Sequence, residues 1–239
     1  MAGYVVAERD VVETTPDAAD TRRVRLTIGP LQGCERLEQR VVRFGPGRSR
    51  RQELGELQAV LYVVSGTGRL RVGGRVEELE PLAGAYVAAG ESYVVENSGA
   101  DDLLVVLVTA PGEHSVPPLD VRTVRWDERA SLPASPNREF RYLVNEDVGC
   151  HDITQFVGEI PPGRAPLHSH TYDEVVYVIA GEGLLHLDGN STPISAGSCI
   201  HLPPLNEHCL ENTGPGSMRV LGVFHPAGSP ASRASEGPQ

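Results

Sequence analysis

Gly163-Arg-Ala-Pro-Leu-His168-Ser-His170-Thr-Tyr-Asp-Glu174, followed later by His208, is the stretch that decides the fold. Side chains alternate along a strand, so His168 and His170 share a face with Cα atoms roughly 7 Å apart, at about 3.3 Å of rise per residue. Two imidazoles at that separation can converge on one cation, each about 2 Å from it. Glu174 adds a hard carboxylate, and His208 is expected from a neighbouring strand. The residues around this stretch read as strands. Val175-Val-Tyr-Val-Ile179 is β-branched and aromatic and stops at Gly181-Glu-Gly183. Leu184-Leu-His-Leu187 stops at Asp188-Gly189, a hairpin signal. Pro193 to Gly197 reads as a further turn, and Pro203-Pro204 closes the strand Ser198 to Leu202.

Two motifs carry a resemblance. Gly163, His168, His170, Glu174 and Gly181 form the first; Gly189, Pro193, Gly197, His208 and Asn212 form the second. This pattern resembles the cupin superfamily. The resemblance implies a small jelly-roll β-barrel in which His168, His170, Glu174 and His208 bind one metal ion. One departure touches the loop and not the ligand types: four residues separate Gly163 from His168, where five are more usual.

The chain also repeats itself. Gly33 to Gly47 aligns without gaps on Gly149 to Gly163, and Val60 to Gly68 on Val175 to Gly183. Gly74 matches Gly189, Gly84 matches Gly197 and Asn97 matches Asn212, with the offset staying between 113 and 116. The expectation is an all-β bicupin of two tandem jelly-roll barrels. Its parts are an N-terminal barrel over 1–112, a linker over 113–137, a metal-binding barrel over 138–227 and a disordered tail over 228–239. The first barrel lacks the ligands, because Glu53, Gly55, Ala59 and Tyr93 stand where the second has His168, His170, Glu174 and His208. It is expected to be structural and to pack against its twin, with a metal-free ligand pocket as the alternative. Trp126, the single Trp, is expected at the barrel junction.

Composition narrows the chemistry. All 21 basic residues are Arg, so no lysine is present for a Schiff base, a covalently held pyridoxal cofactor or a phosphate-loop lysine. A net charge of −11 argues against nucleic acid, which needs a concentrated basic face. No run approaches the roughly 20 apolar residues of a membrane span, and no signal peptide is visible at the start. The four Cys form no dense disulfide pattern and read as reduced thiols of a cytoplasmic protein; Cys34 and Cys150 fall at repeat-equivalent positions and read as small core residues. A homodimer is expected from exposed jelly-roll edges.

Three imidazoles and one carboxylate leave two positions of an octahedral ion open, which suits Fe(II) or Mn(II), and also Ni(II) or Co(II). Zn(II) prefers four ligands and would be nearly closed by this set. The resemblance implies a dioxygenase or other oxidoreductase on a small polar or enolic metabolite. The alternatives are a redox-neutral hydrolase or isomerase, such as the bicupin ureidoglycine aminohydrolases, and a non-catalytic ligand-binding barrel. Arg164 and Tyr172 flank the ligand loop and are candidates to hold a substrate carboxylate. His201 is a candidate proton shuttle if its strand turns that face inward; if outward, it belongs to a surface or interface.

Overall fold

The computed structural model describes residues 3–113 and 119–232. Each half of the chain builds a large sheet facing a small one. In the first half the large sheet runs Thr123–Arg125, Ala83–Val87, Leu57–Ser65, Leu103–Pro111, Glu38–Phe44 and Arg22–Ile28. The small sheet there runs Gly47–Arg48, Ser92–Asn97, Gly68–Val72 and Arg75–Leu79, with Gln52–Glu53 also paired to Ser92–Asn97. In the second half the large sheet runs Tyr4–Ala7, Ser198–Leu202, Asp173–Ala180, Met218–His225, Thr154–Ile160, Arg138–Val144 and Leu132–Ser135. Its small sheet runs Gly163–Arg164, His208–Asn212, Glu182–Leu187 and Asn190–Ser195. All pairings are antiparallel, as in two jelly rolls.

The two large sheets pack back to back, and this explains why the central strands read as unbroken apolar runs. In Leu57–Ser65, Leu61 and Val63 fill the first barrel while Val60 and Tyr62 face the other sheet. In Asp173–Ala180, Val176 and Val178 fill the second barrel while Val175 and Tyr177 face the first half. A strand covered on both faces needs no polar alternation. The back-to-back core joins Val41, Val106 and Val108 to Leu143, Val157 and Leu221. Trp126 packs at its margin, with the guanidinium carbons of Arg141 and Arg219 at 4.3 and 4.5 Å from its ring centre.

Several boundaries differ from the sequence reading. Tyr4–Ala7 leaves the first half and pairs with Ser198–Leu202, covering the edge of the second half's large sheet. Edge strands expose unpaired backbone groups, and this exchange pairs one such edge. Glu8 secures the exchanged segment, bonding Arg43 at 2.7 Å and accepting from the Tyr177 hydroxyl at 3.1 Å. The expected linker is divided between the barrels, because Thr123–Arg125 pairs with Ala83–Val87 and Leu132–Ser135 with Arg138–Val144. Its residues 114–118 lie outside the described residues. The expected tail is docked at its start: Gly228 N donates to Thr154 Oγ1 at 3.1 Å, and a Cβ on Gly228 would sit 2.3 Å from the Tyr172 ring. Residues 233–239 lie outside the described residues.

The turns confirm some readings and re-place others. Asp188 and Gly189 both have positive φ and link Leu187 to Asn190 in a two-residue hairpin. Asn212 and Asn97 each close a turn in the same way, donating to two carbonyls and accepting one backbone N–H. Gly66-Thr-Gly68 and Gly181-Glu-Gly183 form corners where the chain passes from the large sheet to the small one. A Cβ on Gly183 would meet the Glu211 carbonyl at 2.0 Å. The strand register pairs Val60 with Tyr86 and Val175 with His201, so Leu82, at φ 73, and not Gly84, is the counterpart of Gly197. His186 is buried between Glu211 at 2.7 Å and Ser191 at 2.8 Å.

The back-to-back core predicts that Leu143→Ala destabilises the chain by about 2–5 kcal/mol, the usual cost of such a cavity. Urea unfolding would measure it. A loss near zero would mean that this interface contributes little to the cooperative unit.

Candidate metal centre

Three segments deliver the four candidate ligands. The loop after Gly163–Arg164 brings His168 and His170; it is irregular, and only His168 makes a bridge, exchanging backbone hydrogen bonds with His208 at 3.0 and 2.9 Å. The start of Asp173–Ala180 brings Glu174, on the same barrel-facing side as Val176 and Val178. The start of His208–Asn212 brings His208 from the small sheet. One ring nitrogen from each of His168, His170 and His208 lies within 4.8 Å of the others. Glu174 Oε2 is 3.9 Å from both His170 Nε2 and His208 Nε2.

The outer nitrogens are fixed by partners. His168 Nδ1 lies 3.3 Å from the Pro166 carbonyl and His208 Nδ1 2.8 Å from the Asn206 carbonyl. Carbonyls only accept, so both nitrogens carry the proton. Tyr172 donates its hydroxyl hydrogen to the Ser229 carbonyl at 2.6 Å, and so it accepts from His170 Nδ1–H at 3.1 Å. All three imidazoles therefore present Nε2 lone pairs, the tautomer a metal ligand needs.

The electrostatics call for a cation. Glu174 is buried, and its Oε2 has no hydrogen-bond partner among the described residues. Burial pushes its carboxyl up to about 8. Burial, and then the neighbouring His168, pull His208 down to about 3. An uncompensated buried carboxylate is costly, and the Nε2 atoms of His170 and His208, each 3.9 Å from Glu174 Oε2, are too far to hydrogen-bond it. A divalent ion at this point would satisfy all four groups at once, so the residues fit a metal. Beside them opens a cavity of about 100 Å³, lined by Phe140, Phe156 and Phe224 among others. Arg138 lines it too, with Nη2 held by the Leu210 carbonyl at 2.8 Å.

The other three candidates stand elsewhere. Arg164 is exposed on the outer strand Gly163–Arg164 and does not line the cavity. Tyr172 is buried behind His170, where its hydroxyl sets the imidazole instead of meeting a substrate. His201 is fully buried and shares the face of Cys199 that packs between the barrels, so it cannot shuttle protons at this cavity. Arg138 was missed. Its signal was period two: it shares a face with Phe140, on a strand that two others separate from Asp173–Ala180 in the sheet.

The first-barrel counterparts are filled in. Ala59 and Tyr93 are buried within the first barrel's core, so no comparable donor set exists there among the described residues.

Tyr172→Phe is expected to weaken metal affinity by about 10–100-fold, the usual effect of losing the group that orients a ligating histidine. Metal titration against a chelator would read this. Unchanged affinity would show that His170 is held by packing alone.

A model of the cupin domain matches residues 156–224. An oxalate-binding protein from Thermotoga maritima is 36% identical over 68 residues, covering 28% of this chain and 56% of that protein. The chain spans about half the length of the curated relatives it matches first. Among solved structures, a protein from Pseudomonas aeruginosa described as glyoxylate-induced superposes with a TM-score of 0.81 at 22% identity, over 95% of this chain and 91% of that one. Oxalate decarboxylase from Bacillus subtilis, studied for its Mn(II) centres, superposes with a TM-score of 0.74 at 16% identity, over 92% and 76%. At these identities the likeness is one of fold. Residues 156–224 match the cupin domain, and over its whole length the chain shares the two-barrel fold of these solved structures.

Proposed function

We propose that the second barrel holds one divalent transition metal on His168, His170, Glu174 and His208, and that the chain is an enzyme acting on a small, polar, chelating metabolite with dioxygen as oxidant. The observation that carries the reading is Glu174: a buried carboxylate with an unpartnered oxygen, ringed by Nε2 lone pairs, at the edge of a small cavity. Iron or manganese suits this donor set and would supply two open positions for substrate and oxygen. Nickel or cobalt fits the same donors, and zinc would leave little room.

The chain's own residues define what can bind. The cavity admits only a few heavy atoms. Its three phenylalanines exclude water from one side. Arg138, with Nη2 on the Leu210 carbonyl, also lines the cavity, and in this reading its charge favours an anionic substrate. Two similar proteins are described by small acids: oxalate for the Thermotoga relative and glyoxylate for the Pseudomonas neighbour. Together these favour a small acid or enol. A redox-neutral reaction at the same centre is the second reading, in which the bound ion would polarise a carbonyl or activate a water.

Oxygen uptake by the Fe(II)-loaded protein, screened against small 2-oxo acids, dicarboxylates and enols, tests the proposal. The expected result is substrate-dependent uptake that is lost in Glu174→Gln and reduced about 10-fold or more in Arg138→Ala. Turnover that continues under argon would replace the oxidative reading with the redox-neutral one. Melting shifts with no turnover would contradict an enzyme altogether.

A further inference from the structure

The back-to-back interface carries a second donor cluster, remote from the cavity. Cys34, Asp173 and His201 each offer a ligand atom, and these atoms lie within 4.8 Å of one another. Asp173 Oδ1 is 3.0 Å from His201 Nε2. Cys34 comes from the first half; Asp173 and His201 come from the second. Cys34 and His201 are 0% exposed, while the Asp173 side chain reaches the surface at 13%. Strand parity sets the arrangement: Asp173 and Glu174 are consecutive, so one carboxylate points between the barrels and the other into the second barrel.

The internal repeat provides a comparison within the same molecule. Cys150 is the counterpart of Cys34. The paired registers Val60–Tyr86 and Val175–His201 make Tyr86 the counterpart of His201 and Gln58 that of Asp173. The related cluster is therefore Cys150, Gln58 and Tyr86. It is a closed network of neutral groups on one carboxylate. Tyr86 donates to Gln58 Oε1 at 3.0 Å, Cys150 Sγ lies 3.6 Å from the same oxygen, and Gln58 Nε2 donates to Asp152 at 2.9 Å and to the Pro111 carbonyl at 2.8 Å.

The Cys34 cluster is not closed. His201 Nδ1 has no hydrogen-bond partner among the described residues. His225, the cross-strand neighbour of Asp173 where the first half has Ala110 beside Gln58, is buried with neither ring nitrogen bonded. Three buried imidazole nitrogens are thus left over where the related cluster has none. Buried polar groups without partners are rare and call for an explanation, an ion among them.

We propose that Cys34, Asp173 and His201 form a second metal site, for one Zn(II) per chain, that fastens the two barrels together. One thiolate, one imidazole and one carboxylate are the donors zinc accepts. Bonds of about 2.0–2.3 Å bring tetrahedral donors roughly 3.3–3.8 Å apart, so the cluster need contract by only about 1 Å. The fourth position falls to water or to His225. In the absence of an ion, burial pushes the Cys34 thiol up to about 12, so zinc uptake displaces a proton. The cluster uses a soft ligand that the four-residue centre lacks, which separates the two sites by metal preference.

Cobalt(II) substitution tests this in the full chain carrying His168→Ala and His208→Ala, which disables the other centre. The expected result is one bound equivalent with a thiolate-to-cobalt charge-transfer band in the near ultraviolet. The band and the equivalent should vanish in Cys34→Ser and persist in Cys150→Ser, the symmetry-related control. Zinc should raise the melting temperature of the first protein and not that of Cys34→Ser. Absence of the thiolate band in the folded, Cys34-containing protein would overturn the proposal whatever the variants do. So would a band that survives Cys34→Ser.

Discussion

Everything in this molecule depends on the two large sheets being buried on both faces. Each central strand must send alternate side chains into a barrel and into the space between barrels, with no face left for water. One residue of slip would exchange the two sets. Val176 and Val178 line one core and Val175 and Tyr177 the other. The same parity aims Glu174 into the second barrel and Asp173 and His201 at the first half. Placing functional groups is therefore a consequence of packing: the apolar residues fix the register, and the carboxylates and imidazoles follow.

The two halves share this frame and differ in what they bury within it. Where the second barrel has Glu174 and His208, the first has Ala59 and Tyr93, which complete an apolar core. Such filling removes an uncompensated charge and gains packing. The second barrel keeps an ionisable group, with Glu174 Oε2 lacking a hydrogen-bond partner among the described residues. Without an ion, burial favours the protonated acid; a divalent cation would let Glu174 bind as a carboxylate. The exchanged strand Tyr4–Ala7 and the shared core from Val41 to Leu221 make the first half part of the support for the second.

Much of this was legible in the sequence. The histidines, the glutamate, the framing glycines and the repeat identify both barrels, because local spacing and turn chemistry determine them. What the sequence left open was set by long-range contacts. Whether His201 faced inward could not be read from a strand as short as Ser198–Leu202, all of it buried. Tyr172 lies near the ligands in sequence, but the docking of Ser229, 57 residues away, decides that its hydroxyl serves His170. Arg138 gave no motif, since a cation on a strand remote from the ligand motif in sequence resembles any surface arginine. Leu82 shows the limit of aligning glycines: the turn's conformation recurs, but its residue type does not.

The account stands or falls on the four side chains sharing one cation. Elemental mass spectrometry of untagged protein, compared with His170→Ala prepared in parallel, is the most direct measurement. A deficit of one equivalent of iron or manganese in the variant, with an unchanged fold by circular dichroism, is the predicted result. Equal metal content in the two folded proteins would contradict it and leave the buried Glu174 carboxylate without its partner.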